Sequence, residues 1–324
     1  MFNNKHIAII VSCSKRKRQE ACSQMLFHTM PTMKADLLAT EWLKRAGKVS
    51  QYYEAKNLYS GAGLKYASDA IAFIEDQGGT SSLYLFSAGF GLIRTQDRIP
   101  AYMATFSSDI NQIYKKVENS GSTADAHKAW WQSIMLKRKE DVSLIFSELN
   151  SSDYVFFAAS ANYLKAAEKS IDDLISHLGQ ERLFIISVAG KEAGLSSAIQ
   201  SCLLPIDTSV ERILPGPRNS INERSLLWIL GEIIPEDEWN RYQINELLLE
   251  EMVKSQKLQA SFPKNILNKM EDFEIKEWIM LHLQQQPGIS KNRLLRLFRS
   301  DSRSCKQSRF YQLVTTVKEE RALI

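Results

Sequence analysis

Apolar positions along the chain follow two periods. Short runs, Ile7-Ala8-Ile9-Ile10-Val11, Leu83-Tyr84-Leu85-Phe86, Tyr154-Val155-Phe156-Phe157-Ala158-Ala159 and Leu183-Phe184-Ile185-Ile186, are apolar at successive positions. Rich in β-branched and aromatic residues, they predict strands buried on both faces. Between them, spacings of three and four predict helices over 33–46 (Leu37, Leu38, Trp42 and Leu43 on one side), 64–76, 109–117, 126–138, 143–149, 164–178, 195–202 and 223–234. Gly78-Gly79 closes the second of these, and Asn222 reads as the N-cap of the last. Strands alternating with helices predict an α/β fold with a largely parallel sheet. Ligands of such sheets bind beyond the carboxyl ends of the strands, so the residues following each strand are the candidates for chemistry.

The pattern changes after residue 233. Pro235-Glu236-Asp237 marks a boundary, 239–259 reads as a Leu/Glu-rich helix, and Ser261-Phe262-Pro263 interrupts it. Two short helices follow, 273–284 and 291–300, joined by Pro287-Gly288, then a third over 304–318. The expected organisation is an α/β domain over 1–233, a helical connector over 234–270, and a helix-turn-helix or winged-helix-like module over 271–324.

Composition adds constraints. With 44% hydrophobic and 24% charged residues the chain reads as an ordinary globular protein. No apolar run approaches the roughly 20 residues of a membrane helix, and Met1-Phe2-Asn3-Asn4-Lys5 lacks the marks of a signal peptide, so a cytoplasmic protein is expected. Four scattered cysteines without a C-x-x-C pair and five histidines without zinc-type spacing call for no disulfide framework, metal or other cofactor. A net charge of +4 is modest, but between Gln286 and Phe310 seven Lys/Arg face one acid. Lys291, Arg293, Arg296, Arg303, Lys306, Gln307 and Arg309 offer phosphate and base-edge contacts to double-stranded DNA. The alternative is a helical lid or dimerisation arm with a solvated basic face.

The first strand runs into Ser12-Cys13-Ser14-Lys15-Arg16-Lys17-Arg18, a thiol flanked by hydroxyls and cations. The second runs into Ser87-Ala88-Gly89-Phe90-Gly91 and on to Arg94, Asp97 and Tyr102. Similar polar loops after two strands imply one shared rim, to which Tyr59, Gly61, Arg218 and Asn222 could add. Ser12, Ser14 and Lys15 can hold an anion, and Arg94 with Asp97 is either an orienting pair or the brace of a turn. Cys13 is either a nucleophile or a small core-facing residue.

The pattern Ser12-x-x-Lys15, Tyr59-x-Gly61, then Ser87-x-x-x-Gly91-x-x-Arg94-x-x-Asp97-x-x-x-x-Tyr102 resembles the YaaA family of bacterial peroxide-stress proteins over about the first 105 residues. The resemblance implies a compact YaaA-like α/β core and a DNA-binding role, and carries over Ser12, Lys15, Tyr59, Gly61, Arg94, Asp97 and Tyr102. Two features depart from it: Cys13 where proline is expected, and the basic C-terminal module. Proteins with this kind of core are also similar to components of the Dpd system, which inserts and elaborates 7-deazaguanine bases in DNA, and this implies other DNA-modification proteins as partners. In such a protein Cys13 would attack the cyano carbon of 7-cyano-7-deazaguanine, and water would convert the thioimidate to the amide in a nitrile hydratase-like hydration. Lys15 or the cations after it would support the thiolate, and Asp97 would serve as base for water. The competing readings are a non-catalytic YaaA-like DNA-binding protein of oxidative stress and a transcription regulator whose core senses a ligand.

Overall fold

The computed structural model describes residues 2–234, 239–261, 268–300 and 303–322. Five strands build one sheet: β1 (His6–Ser12), β2 (Thr80–Ser87), β3 (Gly91–Arg94), β4 (Tyr154–Ala158) and β5 (Leu183–Ile186). Their order is β3-β2-β1-β4-β5. β1, β2, β4 and β5 are parallel, and β3 folds back antiparallel on β2. The fold is α/β with a mostly parallel sheet. The four apolar runs are the four parallel strands; β3 escaped notice because Leu92-Ile93 is too short a run to show a period.

Register explains why those runs are apolar throughout. Ile9, Phe156 and Phe184 are partners across β1, β4 and β5, with Phe156 stacked on Phe184 at 5.0 Å. Trp239 closes over that face, 5.9 Å from Phe156. The next residue, Phe157, leaves the opposite face and meets Phe86 at 4.5 Å, which in turn meets Trp131 at 4.6 Å. Alternate side chains thus enter two separate apolar layers, and neither face tolerates a polar series.

The α-helices of six or more residues that begin in this unit are α1 (Ala35–Ala46), α2 (Ala62–Asp76), α3 (Thr123–Lys137), α4 (Lys139–Asn150), α5 (Ala161–Ala166), α6 (Glu168–Leu178), α7 (Ser197–Cys202), α8 (Ile221–Trp228) and α9 (Arg241–Ser261). Four details differ from the sequence expectation. The helix expected over 164–178 is broken at Ala167, between α5 and α6. The segment 109–117 is not helical beyond one short turn, Ile113–Lys116, because its backbone bonds outward: Thr105 N to the Asn111 carbonyl, Ile113 N to Thr105, and Glu118 N to Met33. Asn222 lies inside α8 and caps nothing; its Oδ1 accepts from Val188 N at 3.0 Å, tying α8 to the end of β5. Leu37, expected on the buried side of α1, is exposed.

The chain divides into two compact units, Met1–Lys257 and Leu258–Ile324. Trp239, Ile244, Leu248 and Met252, from the segment expected as a connector, are buried in the core of the first unit. The breaks expected at Pro235-Glu236-Asp237 and at Phe262-Pro263 lie outside the described residues. The second unit holds α10 (Asp272–Gln285), α11 (Lys291–Ser300) and α12 (Gln307–Ala322), with a two-residue parallel ladder between Asn268–Lys269 and Arg303–Ser304. Glu271 and Glu274 form a capping box that starts α10. Ile275, Trp278, Ile279, Leu294, Phe298, Phe310 and Val314 form its separate core. Among the described residues no helix is long and apolar enough to cross a membrane.

Candidate active site

From β1 the chain moves to β2 on one side, and from β4 to β5 on the other. The reversal falls at the carboxyl ends of β1 and β4, the usual ligand position in such sheets. Cys13 stands there, its backbone N donating to the Phe86 carbonyl at 2.8 Å. The thiol is half-buried, 3.3 Å from the Tyr163 hydroxyl on α5 and 3.7 Å from the Tyr102 hydroxyl.

Tyr102 is the hub of a buried hydroxyl network. Its oxygen lies 2.7 Å from both the Tyr59 hydroxyl and Ser87 Oγ, while Tyr59 also donates to Ser87 at 3.1 Å. Ser87 in turn accepts from Phe90 N at 3.0 Å, closing the turn between β2 and β3. Burial drives the Tyr59, Tyr102 and Tyr163 hydroxyls well above the usual tyrosine range, so all three stay protonated. Gly89 is required here because a Cβ would come within 2.6 Å of the Tyr102 ring. Behind Tyr163 lies Phe106, whose ring also contacts His127 at 4.7 Å. His127 is buried and burial pushes its imidazole down to about 4.

The cations after Cys13 divide. Lys15 is exposed and paired with Asp109, whose carboxyl it pulls below the usual range. Lys17 turns inward, its Nζ 4.0 Å from the Tyr102 ring centre and 5.1 Å from that of Tyr59. Desolvation brings its ammonium down to about 8, opposed by the field of Cys13. Ser14 Oγ lies 2.7 Å from the Ser60 carbonyl and 2.8 Å from that of Arg16, and its Cβ packs on Gly61. On α8, Glu223 is only 4% exposed, with the Ser12 hydroxyl as its neighbour. Its carboxyl presses on Gly63 in the first turn of α2, where a Cβ would meet Cδ at 3.1 Å. Burial raises this carboxyl to about 7. The adjacent Arg224 does not neutralise it, since its guanidinium bonds the Leu214 and Pro217 carbonyls.

Several expected residues go elsewhere. β3 runs away from the rim, its register setting Arg94 opposite Tyr84, three residues back from Ser87 and about 10 Å along the strand. Arg94 and Asp97 therefore sit toward the other end of the sheet. Arg94 Nε donates to both Glu148 oxygens at 3.0 Å, and Asp97 Oδ2 accepts from Arg94 N at 3.0 Å, with Arg138 at 3.8 Å. Asp97 makes its polar contacts in this cluster and not with Cys13, and the turn-brace alternative describes the pair. Gly91, at φ +69°, turns the hairpin against Met135. Arg218 is exposed and pairs with Glu211 at 2.9 Å. The structure thus gathers Ser12, Cys13, Ser14, Tyr59, Gly61, Ser87 and Tyr102 at one rim and leaves Lys15, Arg94, Asp97 and Arg218 out of the thiol's contacts.

Among the cations after Lys15 that the sequence offers to the thiolate, the structure selects Lys17. Tyr163 and Glu223 have no signal of their own in the sequence, Tyr163 because it stands five residues beyond β4. Gly61-Ala62-Gly63 signalled a close approach, but nothing local names Glu223 as the group approaching.

In the second unit Arg293, Arg296, Lys306 and Gln307 are exposed. Lys291 donates to Thr315 at 2.7 Å, Arg309 pairs with Asp272 at 2.6 Å, and Arg303 lies 5.7 Å from the Trp278 ring centre. Among the described residues no group of three or more His, Cys, Asp or Glu side chains is placed to hold a metal ion. No family model, curated protein or solved structure matches the chain.

Proposed function

We propose that the chain is a DNA-binding enzyme that modifies a base, hydrating the nitrile of a 7-cyano-7-deazaguanine in DNA to the amide. The observation that carries this reading is the Cys13 thiol, half-buried at the topological switch point and, among the described residues, bonded by hydroxyls. A nitrile carbon is a soft electrophile matched to a thiolate, and protonated tyrosines can donate to the nitrogen that becomes negative as the C–S bond forms. A thiol half-buried at the sheet's rim reaches a base of a duplex only when that base is flipped out. Arg293, Arg296, Lys306 and Gln307, in a winged-helix-like arrangement, would bind the duplex.

Nucleoside mass spectrometry of cyano-deazaguanine DNA incubated with the chain tests the chemistry. Wild type should form the carboxamide, and Cys13→Ala should lower the rate at least about a thousandfold, the scale expected for loss of a nucleophile. No carboxamide with wild type would overturn the enzymatic reading. Binding to any duplex should weaken steeply with salt, and Arg293→Ala or Lys306→Ala should each reduce the log–log salt slope by about 0.9. A slope unchanged in both variants would remove the second unit from the DNA interface.

One observation favours a second reading. The Tyr59, Ser87 and Tyr102 hydroxyls each bond to the other two, which suits a purely structural keystone of a non-catalytic YaaA-like DNA-binding protein. Under that reading Cys13→Ala changes neither the base nor DNA affinity.

A further inference from the structure

Among the basic residues after β1, only Lys17 is withdrawn from water against the same side chains that surround the thiol. Its stem crosses to the Tyr59 segment, where Lys17 and Tyr59 form an isolated β-bridge, and Arg18 N donates to the Leu58 carbonyl at 2.8 Å. These backbone ties hold the side chain over Tyr102, whose hydroxyl touches Cys13. No carboxylate pairs with it among the described residues; Asp109 is occupied by Lys15. The titratable groups around Lys17 are the Cys13 thiol and the hydroxyls of Tyr59 and Tyr102, with Tyr163 bonded to the thiol. All three hydroxyls remain neutral, so among the described groups around this half-buried cation the one able to carry a negative charge is the Cys13 thiol.

The geometry points to Lys17, rather than Lys15, as the counter-ion of the Cys13 thiolate and the proton carrier of the reaction. This rests on the proposed nitrile chemistry only for its second half. The thiolate attacks the nitrile carbon, one C≡N π bond opens, and its nitrogen takes a proton from the Lys17 ammonium, giving a thioimidate and a neutral amine. That amine then removes a proton from the water attacking the same carbon. Collapse of the tetrahedral adduct breaks the C–S bond, returning the thiolate to the regenerated ammonium and releasing the amide. The net change is addition of one water across the nitrile. A lysine ammonium held near 8 is poised for both transfers, whereas an ordinary lysine gives up its proton reluctantly at neutral pH.

The counter-ion half is tested without substrate, by following iodoacetamide alkylation of Cys13 against pH with site-resolved peptide mass spectrometry. Lys17→Met keeps the stem that packs on the tyrosines but removes the charge. It should slow Cys13 alkylation at pH 7 about tenfold and move the half-maximal pH upward. Lys17→Arg should retain the wild-type profile, and Lys15→Met should change nothing. An unchanged profile in Lys17→Met, with circular dichroism showing intact folding, would overturn the inference, as would an equal shift in Lys15→Met. Carboxamide formation separates the other half. If wild type makes none, the proposed function fails while the alkylation result still decides the ion pair. If wild type turns over and Lys17→Arg keeps the alkylation profile yet loses at least about a hundredfold in rate, the proton-carrier role stands; an undiminished rate refutes it.

Discussion

The two ends of the central sheet treat charge in opposite ways. Toward the amino-terminal end, Arg94, Glu148, Asp97, Arg138 and Asp141 form one paired network. Glu148 keeps the Arg94 guanidinium charged and is itself held below the usual carboxylate range by it. At the carboxyl rim, Lys17 has no carboxylate partner and Glu223 no bonded cation among the described residues, and desolvation shifts both toward their neutral forms. Opposite charges that satisfy each other brace a fold. Desolvated groups not braced in this way cost stability, and such groups concentrate where chemistry or binding uses them. The difference teaches that Asp97 is held in the paired network by Arg94 and Arg138, whereas Glu223 and Lys17 are the groups placed to exchange a proton near neutral pH.

The largest test of this contrast is the pH dependence of stability. Glu223 rises to about 7 from its ordinary 4.5, so the folded state holds a proton that the unfolded chain has lost; its contribution falls as pH rises from 4.5 to 7. His127 falls to about 4 from its ordinary 6.5, so its contribution falls in the other direction, as pH drops from 6.5 to 4. Each effect is worth about 3 kcal/mol by linkage, and over the shared window the two oppose each other. Urea unfolding should therefore show Glu223→Gln gaining about 3 kcal/mol relative to wild type between pH 4.5 and 7, with the opposite trend for His127→Gln. A Glu223→Gln difference that does not vary with pH would mean the carboxyl is ionised in the folded protein, and the contrast between the two ends would collapse.

A smaller effect probes the paired end. Arg94→Met leaves Glu148, itself 44% exposed, free to find water, so the cost should be only about 1–2 kcal/mol. Carboxamide formation should not change in this variant once the protein is folded. A fall in turnover without a fall in stability would show that the two ends communicate.

How much was legible in the sequence varied with the kind of information. Ile7-Ala8-Ile9-Ile10-Val11 and Tyr154-Val155-Phe156-Phe157-Ala158 declared themselves as strands because burial on both faces forces every residue to be apolar, a purely local signature. The location of Cys13 beyond the first strand followed from the same run, and the α/β class from the alternation of periods. The sequence by itself therefore determined which four segments are the parallel strands, where their carboxyl ends lie, and that a thiol with hydroxyls stands at one of them. Only the tertiary structure decided which side chains meet that thiol. β3 turns Arg94 and Asp97 away because a four-residue antiparallel return carries the chain back along the sheet, a distance no spacing in sequence encodes. The order β3-β2-β1-β4-β5 brings Tyr163 to Cys13, packing sets Glu223 against Gly63, and a single β-bridge turns Lys17 rather than Lys15 inward. Proximity between residues far apart in the chain is a property of strand order and packing, and it is these contacts that fix desolvation, and with it the charge each group can carry.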